Sequence, residues 1–206
     1  MIDFQDLTGL FSTLLLITTA VFSLAFQYRR FTVKTRCALV VICAFLLLIP
    51  IGPVSVVAYV RAFIGDLSVT SLTVLIFLQM ENVFGFKPPR RNELDLLCVL
   101  AVPVTVVFYP LALGFGEYDP YSLGYGSRYL LSSLLVLTLL AWATDRQLIV
   151  VSLSQSVLFY SIGWYESNNL WDYLMDPLFA VYAFGVCLFR YFQRSGVKDP
   201  HRIASG

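Results

Sequence analysis

The sequence predicts an all-α fold: a polytopic membrane helix bundle of about seven transmembrane helices in one domain. Three observations lead there. Of 206 residues, 58% are hydrophobic, and only 14 Lys and Arg and 13 Asp and Glu are available to face water. Mean hydropathy is +0.77, more apolar than the surface of a soluble globule of this size allows. Seven apolar stretches alternate with charged or turn-rich punctuation. At roughly 20 residues per membrane helix, seven spans use about 140 residues and leave no room for a soluble domain. Runs of this length without period-two alternation fit helices rather than barrel strands, and lipid forbids open strand edges.

The first expected span runs from about Leu7 to Tyr28 and is closed by Arg29, Arg30, Lys34 and Arg36. The second runs from Cys37 to about Val60, with Pro50 and Pro53 inside it, and ends at Arg61. Gly65 and Asp66 turn the chain into the third, about Leu67 to Phe86, which stops at Lys87-Pro88-Pro89-Arg90-Arg91. The fourth, about Leu94 to Leu113, carries Pro103 and Pro110, and a loop rich in Gly and Tyr, Gly114 to Ser127, leads to the fifth at Tyr129 to Thr144. Asp145-Arg146 makes a short turn into the sixth, about Gln147 to Tyr165. After the polar loop Glu166-Ser167-Asn168-Asn169, the seventh ends near Tyr191. Residues 1–192 then form a single transmembrane domain, and 193–206 a short basic tail.

Lys and Arg in short loops set orientation during insertion. Twelve basic residues (Arg29, Arg30, Lys34, Arg36, Lys87, Arg90, Arg91, Arg146, Arg190, Arg194, Lys198, Arg202) fall on one side of the expected spans, and only Arg61 and Arg128 on the other. The expected topology therefore has the amino terminus outside and the carboxyl terminus cytoplasmic, in a cell inner membrane. Asp3 and Asp6, with no basic residue before the first span, agree with that orientation and speak against a cleaved signal peptide. Trp164, Tyr165, Trp171 and Tyr173 at one end, and Tyr28, Trp142 and Tyr191 at the other, are expected as interfacial aromatic belts.

The residues present exclude several chemistries. The single His, His201, lies in the tail, which removes haem ligation by His, paired-His zinc proteases and a Ser-His dyad. The lysines Lys34, Lys87 and Lys198 lie in loops or tail, so no retinal Schiff base forms within the spans. Cys37, Cys43, Cys98 and Cys187 lie in spans or at their cytoplasmic ends, without a Cys-x-x-Cys, and are expected as small buried hydrophobes rather than redox thiols. Ile64-Gly65-Asp66 carries only the last two residues of the Gly-x-Gly-Asp motif of intramembrane aspartyl proteases, with Phe63 at the first position. A net charge of +1 gives no concentrated basic face for nucleic acid. No cofactor and no metal are expected.

The chemistry that remains converges on the outer side. Arg61 and Arg128 persist where insertion disfavours them, beside Asp66, Glu117 and Asp119. Each guanidinium can hold a carboxylate or phosphate ligand bidentately or pair with a protein carboxylate. Glu117, Asp119, Glu166, Asn169 and Asp172, with Tyr118, Tyr121, Tyr125, Trp171 and Asn168, suit the hydroxyls and apolar faces of a glycan or lipid head group, and equally a protein partner. Glu81, six residues before Lys87, is a candidate intramembrane carboxylate. Gln79, Ser152, Ser154 and Gln155 are candidates for a polar seam between spans. The expected function is that of an accessory or binding component in cell-envelope glycan or lipid handling, at the outer (periplasmic) face. Two other classes stand beside it: a lipid-linked group transferase using Asp66, Glu117 or Asp119 as base with Arg61 or Arg128 on a phosphate, and a small proton-coupled transporter using Glu81.

Overall fold

The computed structural model describes residues 4–25, 30–85 and 91–195. Among them the fold is all-α, as the sequence predicts. Its helices are α1 (Phe4–Leu24), α2 (Val33–Leu48), α3 (Val56–Ile64), α4 (Val69–Phe84), α5 (Arg91–Ala112), α6 (Arg128–Ala143), α7 (Gln147–Ser161), α8 (Leu170–Leu174) and α9 (Pro177–Ser195). Strands β1 (Pro50–Ile51) and β2 (Val54–Ser55) lie between α2 and α3, and a 3-10 turn (Pro120–Gly124) between α5 and α6. Asp3, Tyr28, Arg29, Lys87, Arg90 and the tail from 196 onward, with Lys198, His201 and Arg202, lie outside the described residues, as do the side chains of Arg91 and Arg194.

Helices α2, α4 and α7 are shorter than the apolar runs that predict them. Two others, α1 over Asp6–Leu24 and α5 over Glu93–Ala112, are long and apolar enough to cross a membrane, while α4, α6, α7 and Pro177–Gln193 of α9 are apolar but shorter. Local stop signals trim them. In α4 the N-cap Ser68 accepts the Ser71 N–H at 3.2 Å, and Gly85 closes the helix in the left-handed region at φ 69, both ordinary helix-end devices.

The expected second span, Cys37 to Val60, is broken. Proline disfavours helix at the residue before it and donates no N–H, so α2 stops at Leu48 and Ile49 is extended. Gly52 takes φ 79, which permits a two-residue turn that pairs Ile51 with Val54 and Pro50 with Ser55, antiparallel. Ser55 then caps α3 by accepting the Ala58 N–H at 3.3 Å. Residues read as the far end of a span therefore form a hairpin and a nine-residue helix.

Polar contacts fix how the helices run. The Thr19 hydroxyl donates to Gln79 Oε1 at 3.1 Å, and Asn82 Nδ2 donates to Ser23 at 2.9 Å, so α1 and α4 are parallel. Thr73 donates to Gln155 Oε1 at 2.9 Å, and Thr70 meets Ser156 at 3.5 Å, so α7 is antiparallel to α4. The seam expected from Gln79, Ser152, Ser154 and Gln155 thus takes a different form. Six residues turn a helix by about 240° beyond a full circle, which sends Gln79 towards α1 while Thr73 faces α7. Ser154 is exposed for the same reason.

One buried carboxylate joins two helix starts. Asp176 is 6% exposed and accepts the Phe179 N–H of its own helix at 2.8 Å, the Ser68 N–H at 2.9 Å and the Ser71 hydroxyl at 2.5 Å. Pro177 at the first position of α9 needs no acceptor for a missing N–H. The starts of α1, α4, α6 and α9 and the ends of α5 and α7 hence share one end of the molecule, called the cap end below. At the other end Glu93 accepts the Leu148 N–H at 2.7 Å, Arg36 donates to the Asn82 carbonyl at 3.2 Å, and Arg190 pairs with Asp95 at 2.6 Å.

Candidate functional site

Two structured regions occupy the cap end. In the first, α3 carries Arg61 in its last turn, and Gly65 at φ 77 folds the chain back so that Asp66 meets it. Arg61 Nε donates to Asp66 Oδ1 at 2.7 Å and a terminal nitrogen to Oδ2 at 3.2 Å. The other terminal nitrogen pairs with Asp6 of α1 at 3.0 Å. Asp66 first, and Asp6 with it, keep the guanidinium charged far beyond any accessible pH. Gly9 is what allows the approach, since a Cβ there would collide with the Arg61 and Asp66 side chains. The fork of Arg61 is therefore fully engaged by protein carboxylates, and its partner Asp6 lies 55 residues away.

The second region is the packing of α8 against the 3-10 turn. Asp119 caps the turn by accepting the Tyr121 N–H at 2.9 Å. The Tyr121 hydroxyl donates to Asp172 Oδ2 at 2.9 Å, and Ser167 donates to the same oxygen at 2.5 Å. Asn169 works in both directions: Oδ1 accepts the Trp171 N–H at 3.0 Å and Nδ2 donates to the Tyr121 carbonyl at 2.9 Å. The Trp171 indole donates to the Pro120 carbonyl at 2.9 Å, and its ring lies 4.5 Å from that of Phe108 on α5. Burial first, then the bond to Asp172, push the Tyr121 phenol well above the usual range, so it remains a donor.

Beneath this cap lies Tyr173, 0% exposed, whose hydroxyl accepts the Tyr165 N–H at 3.0 Å and donates to the Ser167 carbonyl at 3.0 Å. The Tyr165 and Tyr173 rings pack at a tilt, 5.1 Å apart, within a cluster that includes Val69, Leu130, Leu170 and Leu174. The expectation that Tyr165 and Tyr173 form an interfacial belt is corrected. The Tyr173 hydroxyl is taken up by loop backbone at Tyr165 and Ser167, and the Tyr165 hydroxyl is buried without a partner, so both rings are core. Trp164 stacks on Phe159 at 4.9 Å.

The structure thus joins Asp119, Asn169 and Asp172 in one network and Arg61 with Asp66 in another. Glu117, Arg128 and Glu166 are exposed, and their side chains enter no hydrogen bond or ion pair with another described residue. Exposed Tyr118, Tyr125 and Asn168 complete the rim. Glu81 is half-buried in the last turn of α4, its carbonyl accepting the Gly85 N–H at 3.0 Å. Among the described residues no three acids, histidines or cysteines gather where they could hold a metal.

Sequence reasoning missed Asp176, Glu93 and the Asp95–Arg190 pair as helix-end fasteners. Asp176-Pro177 was readable as an N-cap followed by a first-turn proline, whereas Glu93 serves the start of another helix 55 residues on and leaves no local signal. Comparison with known proteins finds no matching family model, no matching curated protein and no matching solved structure.

Proposed function

We propose that this chain is a seven-span inner-membrane protein that acts at its cap end as an accessory or binding component in cell-envelope glycan or lipid handling. The spans of this reading are α1, α2, α4, α5, α6, α7 and α9, with the cap end outside. Support for a lipid environment comes from the sides of the bundle. No residue of α2 is buried, and Phe45, Leu135, Leu139 and Val181 stand more than half exposed, a surface that lipid covers and water does not. Support for the orientation comes from the basic residues: Arg30, Lys34, Arg36, Arg146 and Arg190 belong to the end opposite the cap, Arg61 and Arg128 to the cap.

The observation that carries the functional part is the state of the cap. Asp119, Asn169, Asp172 and Trp171 are held by hydrogen bonds within the cap, while Tyr118, Glu117, Glu166 and Asn168 project from its rim beside Tyr125, whose ring sets its edge against Tyr121 at 5.8 Å. A prefolded platform with free aromatics and acids binds without first ordering itself. The transferase reading would have to draw on Arg128, since the Arg61 fork is occupied, and the transport reading would depend on Glu81 close to a helix end.

The test is photocrosslinking in the native host from a reactive amino acid placed at Tyr118 or Tyr125, with sidedness checked by labelling a cysteine at Asn168 from outside. The reading expects one discrete adduct with an envelope lipid, glycan or membrane protein, and labelling in intact cells. A cytoplasmic residue 168, or no adduct from either position, overturns it.

A further inference from the structure

A second feature of the molecule begins at Trp171 of the cap and runs away from it along the bundle. It is a groove of about 450 Å³ between α5 and α6, closed at the back by α7 and α9, and its volume falls within the range of ligand sites. Leu97, Leu100 and Val104 line it from α5, Leu134 and Leu137 from α6, and Ile149 from α7. On α6 it extends from Leu130, near Trp171 at the cap end, to Thr144 at the other, a run of about 21 Å. That exceeds the roughly 15 Å hydrocarbon depth of one leaflet, so the groove suits an extended chain rather than a compact molecule.

The charge in this groove is confined to one end. Asp145, left-handed at φ 55, turns the chain between α6 and α7, and Arg146 immediately after it joins the lining. Arg146 is half-buried, and its guanidinium pairs with no described residue. Glu93 continues the lining stripe of α5 one turn below Leu97. It is 1% exposed, with one oxygen on the Leu148 N–H and the other without a partner. Of the other basic side chains described on these helices, Arg190 is occupied by Asp95 and Arg128 lies at the cap end. Among the described residues, an occupant's head group therefore meets one available cation, Arg146, beside a buried carboxylate. A single negative charge fits that balance, and the two or more of a terminal phosphate or diphosphate do not.

We infer that the α5–α6 groove binds one phosphodiester phospholipid, an acyl chain along Leu97, Leu100, Leu134 and Leu137 and the phosphate on Arg146. The second acyl chain lies outside the groove, along the exposed Val99, Leu135 and Leu139 flanks. The inference rests on the reading of the chain as a membrane protein. It does not depend on what the cap binds.

The probe is dioleoylphosphatidylglycerol added to the delipidated full chain in detergent, with native mass spectrometry reading occupancy and melting temperature reading the fold. One lipid should bind per chain. Leu137→Trp fills the groove from an exposed wall position and should weaken binding at least tenfold with melting unchanged. Arg146→Gln should cost about tenfold by removing the charge-assisted bonds. Should Leu137→Trp fail to fold, wild-type competition decides, because dioleoylglycerol, which lacks the phosphate, should compete at least tenfold less well. Equal competition by dioleoylglycerol, tighter binding of a polyprenyl phosphate, or full binding by folded Leu137→Trp would each overturn the inference. Carbonate extraction separates the two failures: a chain that stays with membranes yet binds no lipid here defeats only the groove, and one released into solution defeats the membrane reading as well.

Discussion

The two structured regions of the cap end fasten helix ends by different means. At α3 a single guanidinium clamps carboxylates from α1 and the following turn, with Asp66 and Asp6 both largely open to solvent. At α8 the joint is made of neutral hydroxyls, amides and an indole around Asp172, roofed by aromatic rings and seated on the buried Tyr173. Exposed ion pairs contribute about 0–1 kcal/mol and are screened by salt. Partly buried hydrogen bonds are expensive to leave half-made. The α3 corner is thus an adjustable clip, and the α8 cap a rigid part whose shape matters.

The sharpest way to break this contrast is at the two glycines that allow each approach. A Cβ at Gly124 would run into Asn169 and Trp171, which are locked by their own bonds, whereas at Gly9 it meets the far end of a flexible Arg61 side chain and the Asp66 carboxylate. Gly124→Ala should cost about 3 kcal/mol, in the range of overpacked cores, and Gly9→Ala well under half of that. Denaturation of both variants in the same detergent measures the difference, and equal losses would mean the two regions do not differ in rigidity.

Removing the carboxylates comes next. Asp172→Ala strands the hydroxyls of Tyr121 and Ser167 and should cost about 2 kcal/mol. Asp66→Ala leaves Arg61 with Asp6 in a solvated setting and should cost at most about 1 kcal/mol. Adding salt to roughly 1 M should erase the second loss, because the Debye length falls to about 3 Å, and leave the first in place.

How much of this the sequence revealed follows the range of each interaction. Helical periodicity and loop charge identify α1, α2, α4 to α7 and α9, because they depend on residues within one or two turns. The hairpin at Gly52 and the helix α3 escape the same reading, since an apolar run looks alike whether it is crossed by a helix or folded back at a Pro-Ile-Gly-Pro break. The Arg61–Asp66 pair is legible from its five-residue spacing around Gly65, while Asp6 is not. The polar residues Asn169 and Asp172 were readable as a surface, yet their deepest work is internal: Asn169 is nearly fully buried as a cap for α8 and a donor to a chain segment 48 residues away. Tertiary pairing of that kind leaves no periodic trace.

pH separates the regions by a smaller effect. The Tyr121 phenol is pushed up on folding, so its contribution is complete below the unfolded tyrosine value of about 10 and is lost as pH rises through the higher folded value. Wild-type stability should therefore decline above about pH 10, and Tyr121→Phe should lower stability at pH 8 but flatten that decline. The α3 clip, whose guanidinium stays charged, adds nothing to the alkaline limb, and Arg61→Gln should leave its slope unchanged. The smallest effect belongs to Arg128, exposed and without a protein partner, where Arg128→Gln should move stability by less than about 0.5 kcal/mol.

The central claim is that Arg61 at the α3 corner serves the fold alone, while the rim of the rigid α8 cap does the proposed binding. It is tested most directly by measuring melting temperature and complementation in the native host together for Arg61→Lys and for the double variant Tyr118→Ala, Tyr125→Ala. The account predicts that Arg61→Lys lowers melting temperature by a few degrees and function only in step with it. The tyrosine pair should melt like wild type and lose function. An Arg61→Lys chain that melts normally yet fails to complement, beside a fully active tyrosine variant, would contradict it.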